Sequence, residues 1–348
     1  MSARRSARGR AAALDPATRH AEELDQLRLI TKIAHLYHRR GMRQPEIASR
    51  LHISQSRVSR LLSMAVEAGI VRTIVVPPPG IYAGIEEELE RKYGLEDVHI
   101  VHVDESATEA EIGEELGVAA ATYLQSSLFD LGVVGCVSWS RPVMSMVSHL
   151  EPVHRQAATH VVEMLGSLGD PRVQLDVSQS TRRLAELLGA EAAFLPTPAV
   201  AATPEMRDAL LAQDPFAIRA LELHGIVNFA VIGIGTVGLS ELLRRGGDLI
   251  TPAQVQMMLE RGAVGNISLC WYDDGGSKLP SPLDGRVIGM NLDQLARVPR
   301  SVAIAGGPSK WLPIRGALRG RWVKSIITDV GTAEALLDDT VMGSAPRA

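Results

Sequence analysis

Cysteine, aromatic residues and long apolar runs are all scarce in this sequence. Its two cysteines, Cys136 and Cys270, exclude a disulfide framework and a cysteine-rich metal cluster, and the apolar runs around them predict buried, reduced thiols. Aromatic residues make up 4%, too few for a platform that stacks single-stranded nucleic acid. No run approaches the roughly 18 apolar residues of a membrane span, and the basic start lacks the apolar segment of a signal peptide. We therefore expect a cytoplasmic protein without a membrane partner.

Motifs of catalysis and cofactor binding are missing as well. The sequence has no Ser-His-Asp order, no HExxH pair and no Walker loop, and its ten histidines are scattered. Gly233, Gly235 and Gly238 have the glycine spacing of a dinucleotide fingerprint, but the segment lacks the βαβ start with an acidic residue about 20 positions further on, so we do not interpret it as one. We therefore expect no catalytic residues, no metal site and no cofactor.

Length and charge favour two domains with different partners. A chain of 348 residues with 46% hydrophobic residues can bury a large core. Chains of this length more often form two domains than one, so we expect two. Residues 1–72 contain 14 Lys and Arg against 6 Asp and Glu, whereas residues 73–348 contain 22 against 34. A basic head on an acidic body indicates that only the head contacts a polyanion.

Residues 44–65 predict two short helices joined by a tight turn. In the second helix Val58, Leu61 and Leu62 share one apolar face, and Ser54 stands at the N-cap position. The opposite face carries Arg, Gln and Ser, which suit base edges and phosphates in a major groove. We interpret this as a helix-turn-helix with 54–65 as recognition helix; the alternative is a helical hairpin with a solvated polar face. The candidate DNA-binding residues are Gln44, Ser54, Gln55, Ser56, Arg57, Ser59 and Arg60.

Composition sets the expected domain boundaries. Residues 1–20 are rich in Arg and Ala and predict a disordered basic tail. Residues 21–76 form the helix-turn-helix domain, closed by a short strand over 69–76 as in winged variants. Three prolines and a glycine at 77–80 predict a linker over 77–83, and 84–348 form a larger second domain.

In that second domain short apolar strands alternate with amphipathic helices. This predicts a mostly parallel, doubly wound α/β sheet with helices on both faces. The predicted strands span 98–103, 133–138, 160–165, 226–232, 266–271, 302–305 and 325–327. The predicted helices span 84–93, 108–128, 142–150, 181–188, 204–211, 252–261 and 310–319, and residues 273–276 predict a hairpin turn.

Polar and glycine-rich segments follow four of these strands, at 137–142, 164–169, 233–236 and 305–310. Ligands of parallel sheets bind at the carboxyl ends of strands, against helix N-termini. Glycines let amides approach an anion, and charged side chains in two of the segments would add positive charge. Each segment alone could be only a tight turn, but four at equivalent positions favour a binding site.

These motifs together resemble the SorC family of sugar-responsive transcriptional regulators over about residues 25–340. The resemblance is carried by IASRLHISQSRVSRLLSMAVEAGIV, GCVSWSRPV, VIGIGTVG, RGAVGNISLCWYDDGG, LDGRVIGM, VAIAGGPSKWLPIRGAL and SIITDVGTAEALL. It implies an effector and oligomerisation domain similar in fold to phosphosugar isomerases and coenzyme A transferases. Such a domain binds sugars or sugar phosphates without turning them over. The resemblance also implies a homo-oligomer, a dimer or tetramer, on double-stranded operator DNA.

The resemblance and the strand-end segments together give the candidate effector-binding residues. They are Ser138, Ser140, Arg141, Gly166, Ser167, Gly235, Thr236, Asp284, Gly306, Gly307 and Lys310. Ser167, Asn266 and Pro142 depart from the family's usual residues, which leaves a bare or differently phosphorylated ligand open. Arg141 could instead be a surface or salt-bridge residue, and Asp284 a turn residue.

The segment 305–310 carries the most specific expectation. Gly306 and Gly307 would let the backbone approach the phosphate of a sugar-phosphate effector, and the Lys310 ammonium would supply charge beside the amides of a helix N-terminus. The alternative is that Lys310 is a solvated residue of the first helical turn.

Two functions follow from this pattern. The first is a DNA-binding transcriptional regulator controlled by a sugar or sugar-phosphate effector. The alternative is a phosphosugar isomerase or transferase relative with a fused DNA-binding head. An enzyme would need a general acid and base in its cleft, and Asp284, Glu163 and Asp176 form no recognisable pair.

Overall fold

The chain forms two compact units, Met1–Val76 and Pro77–Ala348, which we name the head and the body. The computed structural model describes residues 16–71, 78, 80–126, 130–153, 155–167, 171–238 and 250–338. The boundary between the units falls at the start of the proline-rich segment expected as a linker, most of whose prolines lie outside the described residues. Within the described ranges no helix is long and apolar enough to cross a membrane.

The head is a helical unit around one apolar core. Its helices are α1 Pro16–Ala34, continued by the π-helical turn His35–Arg39, α2 Gln44–Leu51 and α3 Gln55–Glu67. The apolar face expected on α3 is buried, with Val58 fully enclosed and Leu61 6% exposed. His52, at φ +56°, ends α2, and the Ser54 hydroxyl accepts the Arg57 amide at 3.3 Å. The expected N-cap is therefore confirmed.

The N-terminal end of the head differs from the sequence-based prediction. α1 begins at Pro16, so residues 16–20 are helical and not part of a disordered tail. Proline suits a first helical turn, because its φ is already helical and its missing N–H needs no partner there. Residues 1–15 lie outside the described residues. So does most of the strand expected over 69–76, whose described part forms a turn and a bend.

The body is a doubly wound α/β domain. Its first half contains α4 Ala83–Tyr93, β1 Asp97–Val101, α5 Glu109–Ser126, β2 Val133–Cys136, α6 Arg141–His149, β3 His160–Glu163, α7 Pro171–Leu188 and β4 Glu191–Ala193. Its second half contains α8 Pro204–Gln213, α9 Pro215–His224, β5 Val227–Ile232, β6 Gly235–Thr236, α10 Pro252–Glu260, β7 Ala263–Ile267, β8 Cys270–Asp273, α11 Leu292–Arg297, β9 Arg300–Ile304, the 3₁₀ turn Pro308–Lys310, α12 Trp311–Arg319, β10 Ser325–Asp329 and α13 Val330–Leu337.

Seven strands form one sheet in the order β1-β10-β9-β5-β2-β3-β4, and each neighbouring pair is parallel. Successive residues of β5 belong to two different core clusters: Phe229 and Val231 to one, Ala230 and Ile232 to the other. Because side chains of a strand alternate between faces, both faces of the sheet are covered. The expected parallel sheet is therefore confirmed.

The strand predicted over 266–271 is wrong. The chain turns back in its middle, and β7 pairs antiparallel with β8 and with β6 in a separate small sheet. The turn consists of Ser268 at φ +50° and Leu269 at φ +62°. A two-residue turn of this kind normally carries Asn or Gly, which tolerate positive φ, so the residue types gave no signal. The turn expected at 273–276 is confirmed, since the Gly276 amide donates to the Asp273 carbonyl at 2.9 Å.

Most of the other helices and strands that the sequence-based prediction missed are short. They are β4, β6, α9, α11 and α13, of two to ten residues. α11 has six residues and α13 eight, about two helical turns, and such short helices contain too little periodicity to be identified. α7 begins at Pro171, ten residues before the predicted start.

Side chains of α4 cover the outer edge of β1, which ends the sheet. Glu90 Oε1 accepts the Val98 amide at 3.2 Å, and Glu86 Oε1 accepts the Ile100 amide at 3.0 Å. An edge strand exposes a row of unpaired backbone donors to any passing strand. Two of those donors are occupied here.

Candidate functional site

A cavity of about 250 Å³ lies at the carboxyl ends of β9, β5 and β2, which are neighbours in the sheet. The start of α5 and the β7–β8 turn complete its wall. All four segments expected to form a site contribute to its lining, although 164–169 does so through Leu165 and not through a polar residue. Its lining includes Glu109, Trp139, Ser140, Arg141, Gly233, Gly235, Asn266, Ser268, Gly306 and Lys310.

Five of the eleven candidate effector residues line this cavity, and six do not. Those that line it are Ser140, Arg141, Gly235, Gly306 and Lys310. Those that do not are Ser138, Gly166, Ser167, Thr236, Asp284 and Gly307.

Ser138 faces away from the cavity. Its hydroxyl is buried and lies 2.9 Å from Thr181 Oγ1 and 3.3 Å from Cys136 Sγ. Val137 and Trp139 line the cavity instead. Alternation of side chains along an extended segment explains this, because adjacent residues point to opposite sides.

Gly166 and Ser167 pack against a neighbouring backbone segment. The Ser167 amide and hydroxyl both donate to the Thr197 carbonyl at 2.8 Å. A Cβ at Gly166 would lie 2.6 Å from the same oxygen. The glycine is therefore needed for close backbone approach, and the serine hydroxyl is occupied within the chain.

Asp284 and Thr236 also make local contacts in place of the expected ligand contacts. Asp284 is exposed and accepts the Ser281 amide at 3.0 Å and its hydroxyl at 2.9 Å, in a turn that continues through Gly285 at φ +71°. The Thr236 hydroxyl donates to the Gly238 carbonyl at 2.9 Å. For Asp284, the alternative of a turn residue matches the structure.

The amide of Gly307 is not available to a phosphate in the cavity. It donates to Asp329 Oδ2 at 2.8 Å and to Thr332 Oγ1 at 2.9 Å. Gly306 leaves room for the same carboxylate, since a Cβ there would lie 2.1 Å from Asp329 Oδ2. The glycines at this position accommodate a buried aspartate, which is the N-cap of α13.

Lys310 is half-buried and turned into the cavity wall. Its Nζ donates to the Ile234 carbonyl at the end of β5. Burial lowers the pKa of Lys310 to about 8, although the nearby Glu109 carboxylate acts in the opposite direction. The alternative of a solvated first-turn lysine does not match this environment.

Sequence reasoning missed Glu109, the first residue of α5. Oε1 of Glu109 accepts the Ser309 amide at 2.9 Å, and Oε2 accepts the Ser309 hydroxyl at 2.7 Å. The two residues are 200 positions apart in the chain, so no local pattern could have paired them. The acidic first turn of a helix was the only signal, and it is common.

Three polar groups face the cavity without a complete set of partners. The Ser268 hydroxyl is buried and has no hydrogen-bond partner among the described residues. Asn266 is 4% exposed, and its Nδ2 donates to the Thr236 carbonyl at 2.7 Å. Its Oδ1 accepts no bond from the described part of the chain. The Ser140 hydroxyl lies over Gly233, where a Cβ would approach it to 2.3 Å. Buried polar groups normally find partners, and among these three the Ser268 hydroxyl has none in the described part of the chain.

In the head, α3 presents the predicted polar face to solvent. Gln55, Arg57, Ser59 and Arg60 are all exposed. Ser54 and Ser56 are exposed too, with their hydroxyls 3.1 Å apart, while Gln44 at the start of α2 is half-buried. α3 holds a single acidic residue, at its last position. The exposed surface therefore has the composition of a DNA-reading helix.

Known proteins resemble the chain along most of its length. The family model Sugar-bind, described as "Putative sugar-binding domain", matches residues 82–338. The deoxyribonucleoside regulator of Bacillus subtilis (strain 168) is 30% identical over 315 residues, which cover 90% of this chain and 99% of that protein. The sorbitol operon regulator of Klebsiella pneumoniae is 27% identical over 320 residues, which cover 91% and 99%. The crystal structure of the full-length sorbitol operon regulator SorC from Klebsiella pneumoniae matches with a TM-score of 0.67 at 25% identity, covering 90% of this chain and 99% of that one.

The fold and these similarities define a transcriptional regulator with a sugar-binding domain. The chain belongs to the SorC family of sugar-binding transcriptional regulators, as its motifs indicated. These relatives are named regulators, so the enzyme alternative is not favoured.

Proposed function

We propose that the head binds double-stranded operator DNA through α3 and that a sugar bound in the body's cavity controls this binding. One observation carries the second half of the proposal. Ser140, Asn266 and Ser268 line one cavity, and the buried Ser268 hydroxyl has no hydrogen-bond partner among the described residues. A sugar offers several hydroxyl groups that both donate and accept, and the cavity is small enough to favour a small ligand.

For DNA, Gln55 and Arg57 would read base edges near the N-terminus of α3, while Ser59 and Arg60 would contact phosphates. Their exposure supports this assignment. Arg binds guanine edges with two donors, and Gln does the same to adenine. Gln44, Ser54 and Ser56 would contribute backbone contacts.

The protein would not be an enzyme. Among the described lining residues, the charged groups are Glu109, Arg141 and Lys310. Lys310 and Glu109 are each held by hydrogen bonds within the chain. Glu163 is buried elsewhere and accepts the Leu195 amide at 3.0 Å. This arrangement offers no general acid and base facing each other across the cavity.

We also expect a homo-oligomer, a dimer or tetramer, because a single head offers a small footprint on DNA. Light scattering of the full-length protein at micromolar concentration tests this. A monomer, both free and on DNA, would contradict it.

The central experiment selects operator sequences from a random duplex library with full-length protein, then measures DNA affinity with and without each member of a sugar panel. We expect one sugar to change the affinity and to raise the melting temperature. A ligand at 100 times its Kd stabilises the folded state by about 2.7 kcal/mol. A panel with no effect on either quantity, or a sugar converted to product, would contradict the proposal.

A further inference from the structure

Two donors of the segment 305–310, where the phosphate of an effector was expected, already have acceptors within the body. The Gly307 amide is bound to Asp329 and Thr332, and the Lys310 ammonium to the Ile234 carbonyl. A third donor of this segment is the Ser309 amide, in the 3₁₀ turn ahead of α12. A ligand phosphate bound at this segment would need these donors, because backbone amides and a lysine at a helix start form an anion site.

Glu109 occupies that last donor. Its two oxygens take the amide and the hydroxyl of Ser309 at 2.9 and 2.7 Å. Glu109 is also the first residue of α5 and lines the cavity. Glu109 therefore connects the start of α5 to the 3₁₀ turn ahead of α12.

We infer that Glu109 determines effector specificity, by rejecting phosphorylated sugars and accepting a hydroxyl of an uncharged sugar or polyol. This inference rests on the proposed effector site. A phosphate at the Ser309 amide would have to displace the carboxylate or lie beside it with like charge. An ionised carboxylate has about four acceptor positions, and Ser309 fills two. The others can receive ligand hydroxyls.

The lowered pKa of Lys310 supports the same conclusion. With a pKa of about 8 and its donor directed at Ile234, Lys310 carries less charge in the cavity than an ordinary lysine at pH 8 and above. Arg141 is a second cationic residue of the lining, and it is exposed.

The test compares the full-length protein with the variants Glu109→Gln and Glu111→Gln. Glu111 is the matched control, because it lies in the same turn of α5 but bonds Thr108 at 2.7 and 2.8 Å and does not line the cavity. The probes are inorganic phosphate, ribose with ribose 5-phosphate, and fructose with fructose 6-phosphate. Calorimetry gives each affinity, and thermal unfolding gives the stabilisation by phosphate alone.

We expect wild type and Glu111→Gln to prefer the uncharged member of a pair and to gain no stability from inorganic phosphate. Glu109→Gln should gain about tenfold in affinity for the phosphorylated member, which corresponds to 1.4 kcal/mol, and should be stabilised by phosphate. Glu109→Ala should show the same gains. Alanine has no side-chain amide, so this agreement would attribute the effect to the lost charge and not to hydrogen bonds made by the glutamine.

If wild type binds the phosphorylated member of a pair more tightly, the role proposed for Glu109 is wrong, whereas the proposed effector site still stands. Equal responses of the two glutamine variants would do the same. If no sugar binds and phosphate stabilises no variant, both this inference and the proposed function fail.

Discussion

The head and the body differ in whether their charged side chains are exposed to solvent or bonded within the chain. On α3 the polar side chains stand in solvent, and Arg57 and Arg60 make no hydrogen bond through their guanidinium groups to the described residues. In the body cavity the charged groups of Glu109 and Lys310 are already bonded within the chain. An exposed cationic face can adapt to a polyanion at little cost, whereas a cavity with occupied donors accepts only a ligand that replaces or complements those bonds. Selectivity is therefore expected in the body, and salt-dependent affinity in the head.

The largest expected effect comes from a glycine-to-alanine substitution in each region, which compares how closely the two regions are packed around the added methyl group. Gly306→Ala should destabilise the body by about 2–4 kcal/mol, because its Cβ would lie 2.1 Å from the buried Asp329 carboxylate and 2.9 Å from Leu116. Gly41→Ala in the head is the control, since at φ +63° it meets nothing within 4 Å and should cost only about 1 kcal/mol of local strain. Denaturant unfolding measures both. Equal losses would remove the difference in packing between the two regions.

Arg57→Ala should weaken binding to the selected operator by about 1–3 kcal/mol and relax preference at one base pair. Arg60→Ala should weaken all sequences alike and reduce the slope of log affinity against log salt by about one. Fluorescence anisotropy with selected and scrambled duplexes over a salt series separates the two. If both variants bind as wild type does, α3 is not the reading helix.

Lys310→Met should change the dependence of stability on pH. The pKa of Lys310 is about 8 in the folded chain, and an unfolded lysine titrates near 10.4. Between these values the unfolded chain binds more protons, so the contribution of Lys310 becomes more favourable as pH rises. Wild type should therefore gain on the order of 1–3 kcal/mol relative to the variant across this window. Parallel denaturation profiles from pH 8 to 10 would show that the lysine is not enclosed.

Ser268→Ala should have the smallest effect and the most specific one. Losing one hydrogen bond should lower effector affinity by about 0.5–1.5 kcal/mol. Stability without effector should stay equal or rise slightly, because a buried hydroxyl with no partner is costly. Calorimetry and thermal unfolding of the same samples give both values. A loss of stability with unchanged affinity would place the hydroxyl outside the site.

Local patterns predicted those features that depend on neighbouring residues. Ser54 was identified as an N-cap because the residues after it repeat at helical spacing, and the parallel sheet followed from short apolar runs. The cavity was predicted only in part. Ser138 is a candidate because it matches a polar loop of the resembling family, but its side chain faces away from the cavity, since the direction of each side chain is set by the strand. Glu109 could not be found, since its partner Ser309 is distant in sequence. Ser268 owes its place to a positive φ that its residue type does not indicate.

The two glutamates of α4 that take the outer amides of β1 also bear on how copies of this chain can associate. A second copy cannot extend the sheet at Val98 and Ile100 without first removing Glu90 and Glu86. Assemblies that grow by strand addition, including domain-swapped and fibrillar ones, are therefore disfavoured at this edge. At the opposite edge β4 has only three residues, which is a short template for such growth.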